Sequence, residues 1–160
     1  MIFVAVGTQF SFDRLIQYMD AWAQINDEPV FAQIGEGQYE PKHMKWARFL
    51  NGDQYNHNIK EATAFVSHAG MGNIISAREH QTPIIVINRQ HELGEHRNNH
   101  QADGLVWMGK LPGVYTASTQ DQLFDQLSLR ENLTCPVESD NQKRQQLVQF
   151  LGDYIDGSLA

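Results

Sequence analysis

The stretch Ala64-Phe65-Val66-Ser67-His68-Ala69-Gly70-Met71-Gly72-Asn73 passes from an apolar run through two glycines into a segment of helical period over 71–80. The run suits a buried strand over 64–67, and the glycines suit a tight turn feeding a helix. Two glycines at such a junction also let backbone N–H groups approach an anion at the positive end of the helix. A turn with no ligand would use the same glycines. His68 and Asn73 favour the anion, because neither is needed to make a turn and both can donate to phosphate or sugar oxygens.

The same alternation recurs on both sides of this stretch. Strands are predicted over 2–6, 30–34, 47–50, 84–87 and 114–117, with helices after Ser11 and over 55–62, 98–109 and 120–129. Ser11 is placed to cap the first helix, where Phe12, Leu15, Ile16, Met19 and Trp22 share one face. Thr119 is placed to cap the helix that turns Leu123, Phe124 and Leu127 inward. Residues 131–140 read as a loop, and Leu147, Phe150, Leu151 and Tyr154 mark a last helix. The pattern predicts an α/β fold, a Rossmann-like, mostly parallel sheet flanked by helices.

Composition supports one domain over residues 1–160. The chain is 41% hydrophobic and 19% charged, and a chain of this length buries about two thirds of its unfolded surface without disulfides. The lone Cys135 fits a reducing compartment. The longest apolar runs fall far short of the roughly 20 residues that cross a bilayer. No basic segment precedes the apolar N-terminus, so the expected location is the cytoplasm, with no direct membrane insertion. Twelve Lys and Arg against 19 Asp and Glu exclude the basic footprint of non-specific nucleic-acid binding.

In an open parallel sheet, ligands bind beyond the carboxyl ends of the strands. The loops expected on that edge are Gly7-Thr8-Gln9, Gly35-Glu36-Gly37, the turn from His68 to Asn73, and Asn88-Arg89-Gln90-His91-Glu92. Asn98-Asn99-His100-Gln101 opens the next helix with neutral amides and an imidazole, which suit sugar hydroxyls. Capping by Asn98 or Asn99 would account for one of these but not for Gln101. Arg89 and Arg97 have two uses open to them, a diphosphate or exposed ion pairs with Glu92 or Glu95. Trp22, Trp46 and Trp107 read as core or interface residues.

Two other patterns are weaker than they look. Ile75 stands where a dinucleotide fingerprint needs its third glycine, which argues against an NAD(P)-dependent oxidoreductase. His91-Glu92-Leu93-Gly94-Glu95-His96 puts its second histidine one residue too late for a zinc-protease helix. His96 and His100 would face each other if their helix began early, although surface or hydrogen-bonding histidines are the commoner case. No metal ligand is assigned.

Taken together, Gly7-Thr8-Gln9, the segment from Ser67 to Asn73, and Pro83-Ile84-Ile85-Val86-Ile87 leading to Glu92-Leu93-Gly94-Glu95-His96-Arg97-Asn98-Asn99-His100-Gln101 resemble the family 28-type glycosyltransferases. The likeness runs from the N-terminus to about Gln101. Within that family the chain resembles the small donor-binding subunit of two-component enzymes, as in exopolysaccharide synthesis and in the dolichol-linked N-acetylglucosaminyltransferase. The resemblance implies the C-terminal half of a GT-B fold. It also implies a hexosyltransferase subunit that takes a UDP-sugar and serves a lipid-linked or polysaccharide acceptor held by a membrane-associated partner.

The resemblance further implies that Ala69, Gly70, Met71, Gly72 and Asn73 cradle the diphosphate beside a catalytic His68, with Gly7 and Thr8 beneath the phosphates; Gln9 of the same loop joins them as a substrate-binding candidate. Asn99 and Gln101 would reach the transferred sugar; Asn98 and His100 of the same segment, and Arg89, join them as substrate-binding candidates on their own chemistry. Ser76 stands where relatives carry a carboxylate for the ribose, and Glu79 is the nearest stand-in. The scheme calls for no cofactor and no divalent metal, in keeping with a sequence that has no Asp-x-Asp pair. The partner would supply the general base and the membrane attachment, and would recruit this chain to the inner face of the membrane. The competing reading is a non-catalytic nucleotide-sugar- or phosphate-binding regulatory module.

Overall fold

The computed structural model describes residues 1–7, 11–88, 111–129 and 133. Six strands form one parallel sheet: β1 (Ile2–Ala5), β2 (Val30–Gln33), β3 (Lys45–Ala47), β4 (Ala64–His68), β5 (Ile84–Ile87) and β6 (Val114–Ala117). The helices are α1 (Asp13–Ile25), α2 (Gly52–Glu61), α3 (Met71–Glu79) and α4 (Gln120–Ser128). Spatial order is β3-β2-β1-β4-β5-β6, with every pairing parallel. This is the doubly wound order, in which the chain leaves β1 to one side and returns through β4 to the other.

The period-two alternation of β1 divides the core. Ile2, Val4 and Val6 join Phe12, Leu15, Ile16, Met19, Trp22, Leu123 and Leu127 on the α1 and α4 face. Phe3 and Ala5 join Ile59, Phe65, Met71, Ile74 and Val86 on the α2 and α3 face. Strands covered on both faces read as unbroken apolar runs, which is why β4 and β5 were plain in the sequence. Phe3 stacks between Phe65 and Phe31 with ring centroids at 5.2 and 6.3 Å, and Tyr55 meets Phe3 and Phe65 edge-on.

Most element ends fall within one residue of the expectation, and the larger differences are at β3, the start of α2 and the cap of α1. β3 ends at Ala47 instead of running over 47–50. Asn51 is the N-cap of α2 and closes a capping box with Gln54. That box starts α2 three residues before Tyr55. Ser11 does not cap α1. The buried Phe12 is its N-cap, without a side-chain hydrogen bond, and the Phe12 carbonyl accepts from the N–H groups of Leu15 and Ile16. Thr119 does cap α4, accepting from the Gln122 N–H at 3.2 Å. The expected helices over 98–109 and at the C-terminal end lie outside the described residues, as does nearly all of the expected loop over 131–140. Among the described residues, no helix is long and apolar enough to cross a membrane.

Candidate functional site

The topological switch lies between β1 and β4, and in an open parallel sheet this is where the ligand crevice forms, at the carboxyl edge. Gly7 follows β1 with φ +82, a left-handed conformation that a glycine adopts without penalty. His68 closes β4. Its ring lies between two glycine backbones: a side-chain carbon placed on Gly7 would stand 3.0 Å from His68 Cε1, and one on Gly70 would stand 2.7 Å from His68 Nε2. A side chain on either glycine would therefore press on the imidazole between them, and the ring or the turn would have to shift.

The turn after His68 uses its amides unequally. The Ala69 N–H donates to the Ile87 carbonyl at 2.9 Å, and the Gly70 N–H donates back to the His68 carbonyl at 2.8 Å. These two amides, expected in the cradle, are committed to protein. The buried side chains of Ala69 and Met71 belong to the core. Gly70 is the N-cap of α3, and among the described residues no side chain caps this helix. The first intrahelical donor of α3 is the Ile74 N–H, which leaves the N–H groups of Met71, Gly72 and Asn73 without a partner in the helix. Gly72 is exposed, and a side-chain carbon added there would meet nothing within 4 Å. The positive end of α3 thus opens beside His68.

Below the crevice lies a cavity of about 270 Å³ lined by Gly7, Gln33, Leu50, Asn51, Tyr55 and Asn73 among others. Gln33, Leu50, Asn51 and Tyr55 were not singled out from the sequence. Gln33 is buried at the end of β2 and serves two loops. Its Oε1 accepts from the N–H groups of Val6 and Gly7 at 3.2 and 3.1 Å, and its Nε2 donates to the carbonyls of Gly7 and Arg48 at 3.1 and 2.8 Å. A polar residue closing an otherwise apolar strand, two positions before Gly35, was its one trace in the sequence. Tyr55 donates to Asn73 Oδ1, and Asn73 Nδ2 stands 3.4 Å from His68 Nδ1. Burial pushes the Tyr55 phenol up to about 12, against a smaller opposing effect of the nearby Ser76 side chain.

The structure therefore brings together Gly7, His68, Gly70, Gly72 and Asn73. It does not bring Glu79 with them: Glu79 is exposed in the last turn of α3, roughly 12 Å along the axis from Met71. Ser76 is the nearer residue, through its contact with Tyr55. Thr8, Gln9, Arg89, Asn98, Asn99, His100 and Gln101 lie outside the described residues. Among the described residues, no three His, Cys, Asp or Glu side chains gather as a metal would require. A larger hollow of about 490 Å³, between Met1, Glu28, Phe31 and Lys45, lies at the amino ends of the strands, away from the switch point.

A doubly wound parallel sheet with an uncapped helix start at its switch point defines an α/β domain of the nucleotide-binding type. Residues 1–145 match the glycosyltransferase family 28 C-terminal domain, and the chain belongs to that family. Among solved structures it is similar to the solution structure of ALG13, with a TM-score of 0.60 and 18% identity over 92% of this chain and 94% of that one. It is also similar to the glycotransferase of kitacinnamycin and to the calicheamicin glycosyltransferase CalG4, each with a TM-score of 0.54. Identities there are 17% and 15%, and this chain spans 38% of each. The fold is that of the C-terminal half of a GT-B glycosyltransferase. A search of curated proteins finds no match.

Proposed function

We propose that the chain is a single donor-binding domain that presents a UDP-sugar for hexosyl transfer to a lipid-linked or polysaccharide acceptor. The observation that carries this reading is the open first turn of α3 beside His68, at the switch point of a family 28 domain. The diphosphate would lie on the N–H groups of Met71, Gly72 and Asn73, with the nucleoside in the cavity bordered by Leu50, Asn51 and Tyr55.

When the sugar–phosphate bond breaks, negative charge grows on the departing UDP. Fixed amides, the α3 terminus and the catalytic His68 stabilise that charge where it develops. Thr8, Gln9 and Arg89 are assigned to the phosphates, and Asn98, Asn99, His100 and Gln101 to the transferred sugar. The acceptor and the base that deprotonates it belong to a membrane-associated partner. The likeness to ALG13, which this chain covers over 94% of its length, supports a donor domain carried on its own polypeptide.

Isothermal titration of the chain, alone and with its co-expressed partner, against UDP and UDP-sugars tests the reading. Saturable heat is expected, and its absence from both preparations removes the proposal. Nucleotide binding with transfer unaffected by Asn99→Ala and Gln101→Ala would favour the regulatory module instead.

A further inference from the structure

The guanidinium of Arg14, in the first turn of α1, reaches the ends of two strands. Ile87 and Ala117 are the last register pair of β5 and β6, and Arg14 takes the next carbonyl of each strand. Its Nη2 donates to the Asn88 carbonyl at 2.7 Å and its Nη1 to the Ser118 carbonyl at 3.5 Å. The guanidinium is also held from its own side, with its central carbon 5.2 Å from the Phe12 ring and 5.6 Å from the Tyr18 ring. Carbonyls beyond the last ladder bond need a donor, and a planar fork serves two of them from one side chain.

Asn88 is where that hold bears on the site. Its side-chain oxygen is buried without a hydrogen-bond partner, and the bond that anchors the residue is the charge-assisted one from Arg14 to its carbonyl. Ile87, one residue earlier, is the register partner of His68, and the Ile87 carbonyl accepts from the Ala69 N–H at 2.9 Å. Gly70, the N-cap of α3, follows directly. The end of β5 thus sets the turn, and the turn sets the direction in which the first-turn amides of α3 point. A shift of the Asn88 carbonyl away from Arg14 carries Ile87 and Ala69 with it.

We propose that Arg14 is a positioning residue of the donor site, which holds the end of β5 so that the turn from His68 to Gly70 presents the α3 terminus to an anion. The proposal rests on the diphosphate reading above for its purpose, but not for its geometry. Arg14 does not itself touch the anion in this scheme. It acts through Asn88, Ile87 and Ala69, and the bonds that transmit the effect are backbone contacts between neighbouring strand ends.

The full chain and its Arg14→Ala variant are compared by ¹H–¹⁵N spectra and by UDP titration. Before UDP is added, the substitution is expected to shift the amide signals of Ala69 to Asn73. UDP affinity is expected to fall roughly tenfold, and millimolar guanidinium to recover most of it relative to the same concentration of sodium chloride. A folded variant with wild-type 69–73 amides overturns the proposal, as does one that binds UDP as tightly as the wild type. A loss of affinity that guanidinium leaves or deepens also overturns it, since a merely destabilised fold would respond to a denaturant in that way. If Arg14→Ala does not fold, ¹⁵N-arginine spectra of the wild type decide: slow rotation about the Arg14 Nε–Cζ bond is expected, and fast rotation overturns the proposal. A wild type without saturable UDP binding, whose 69–73 amides still move on substitution, overturns the nucleotide assignment alone. UDP binding with those amides unmoved overturns the role of Arg14 alone.

Discussion

The imidazole of His68 lies against the backbone of Gly7, 61 residues earlier in the chain, so closely that a side-chain carbon on Gly7 would stand 3.0 Å from Cε1. The ends of β1 and β4 therefore fit each other through one ring and one absent side chain. Gly7→Ala meets both this contact and a φ of +82. It is expected to destabilise the fold by about 1–3 kcal/mol and to weaken UDP binding by displacing His68. Urea unfolding and nucleotide titration of the same preparation check both effects.

Gly72 presents the opposite case. Nothing lies within 4 Å of the position a side chain would take, and its backbone is helical. Gly72→Ala is expected to raise stability by up to about 1 kcal/mol through helix propensity. The added methyl would stand over the first-turn amides and lower nucleotide affinity. A more stable variant that binds UDP as tightly as the wild type would remove Gly72 from the site.

Gln33 joins two loops through four hydrogen bonds made by one buried amide. Gln33→Leu keeps the approximate volume and strands the Gly7 N–H and the Gly7 carbonyl, while the Arg48 carbonyl keeps the Gly35 N–H as a donor. The expected loss is about 2–3 kcal/mol. Thermal unfolding measures it, and amide exchange at Gly7 should rise with it.

Asp20 on α1 holds the chain between β2 and β3. Burial pushes its carboxyl up, but hydrogen bonds from the Tyr39 hydroxyl and the N–H groups of His43 and Lys42 outweigh this and leave it below the ordinary 3.8. A carboxylate lowered in the folded state adds stability that is present above its unfolded value and lost as pH falls through the folded one. Stability is therefore expected to decline below about pH 3.8 in the wild type. In Asp20→Asn this contribution to the decline disappears, and the variant starts from a lower value at pH 7. Urea midpoints across pH 2–7 compare the two.

Much of the frame was legible before any coordinates. β5 falls where its apolar run begins and ends, β6 falls over Val114–Ala117 as expected, and Thr119 caps α4, because burial and end-capping are written in residues close together in the chain. β3 lies two to three residues earlier than its apolar run suggests, and α2 starts three residues before Tyr55 because Asn51 and Gln54 close a capping box there. At the site, His68, Gly70 and Asn73 stood out because they share one turn. Tyr55 did not, since it lies on another helix and reaches Asn73 only once α2 and α3 pack on the same face. Glu79 and Ser76 were one helical turn apart in the sequence, and only the direction of α3 separates the one that nears the cavity from the one that does not.

By itself the sequence determined the alternation of strand and helix, the glycine turn after β4 and the family likeness, all of which rest on neighbouring residues and the periods of their burial. The tertiary structure alone decided which amides of that turn pair with the described residues, that Gln33 binds the β1 loop to the β3 loop, and that Tyr55 meets Asn73 beside His68. Those relationships are hydrogen bonds and ring contacts between residues brought together by the winding of the sheet, and no local pattern of residue types encodes them.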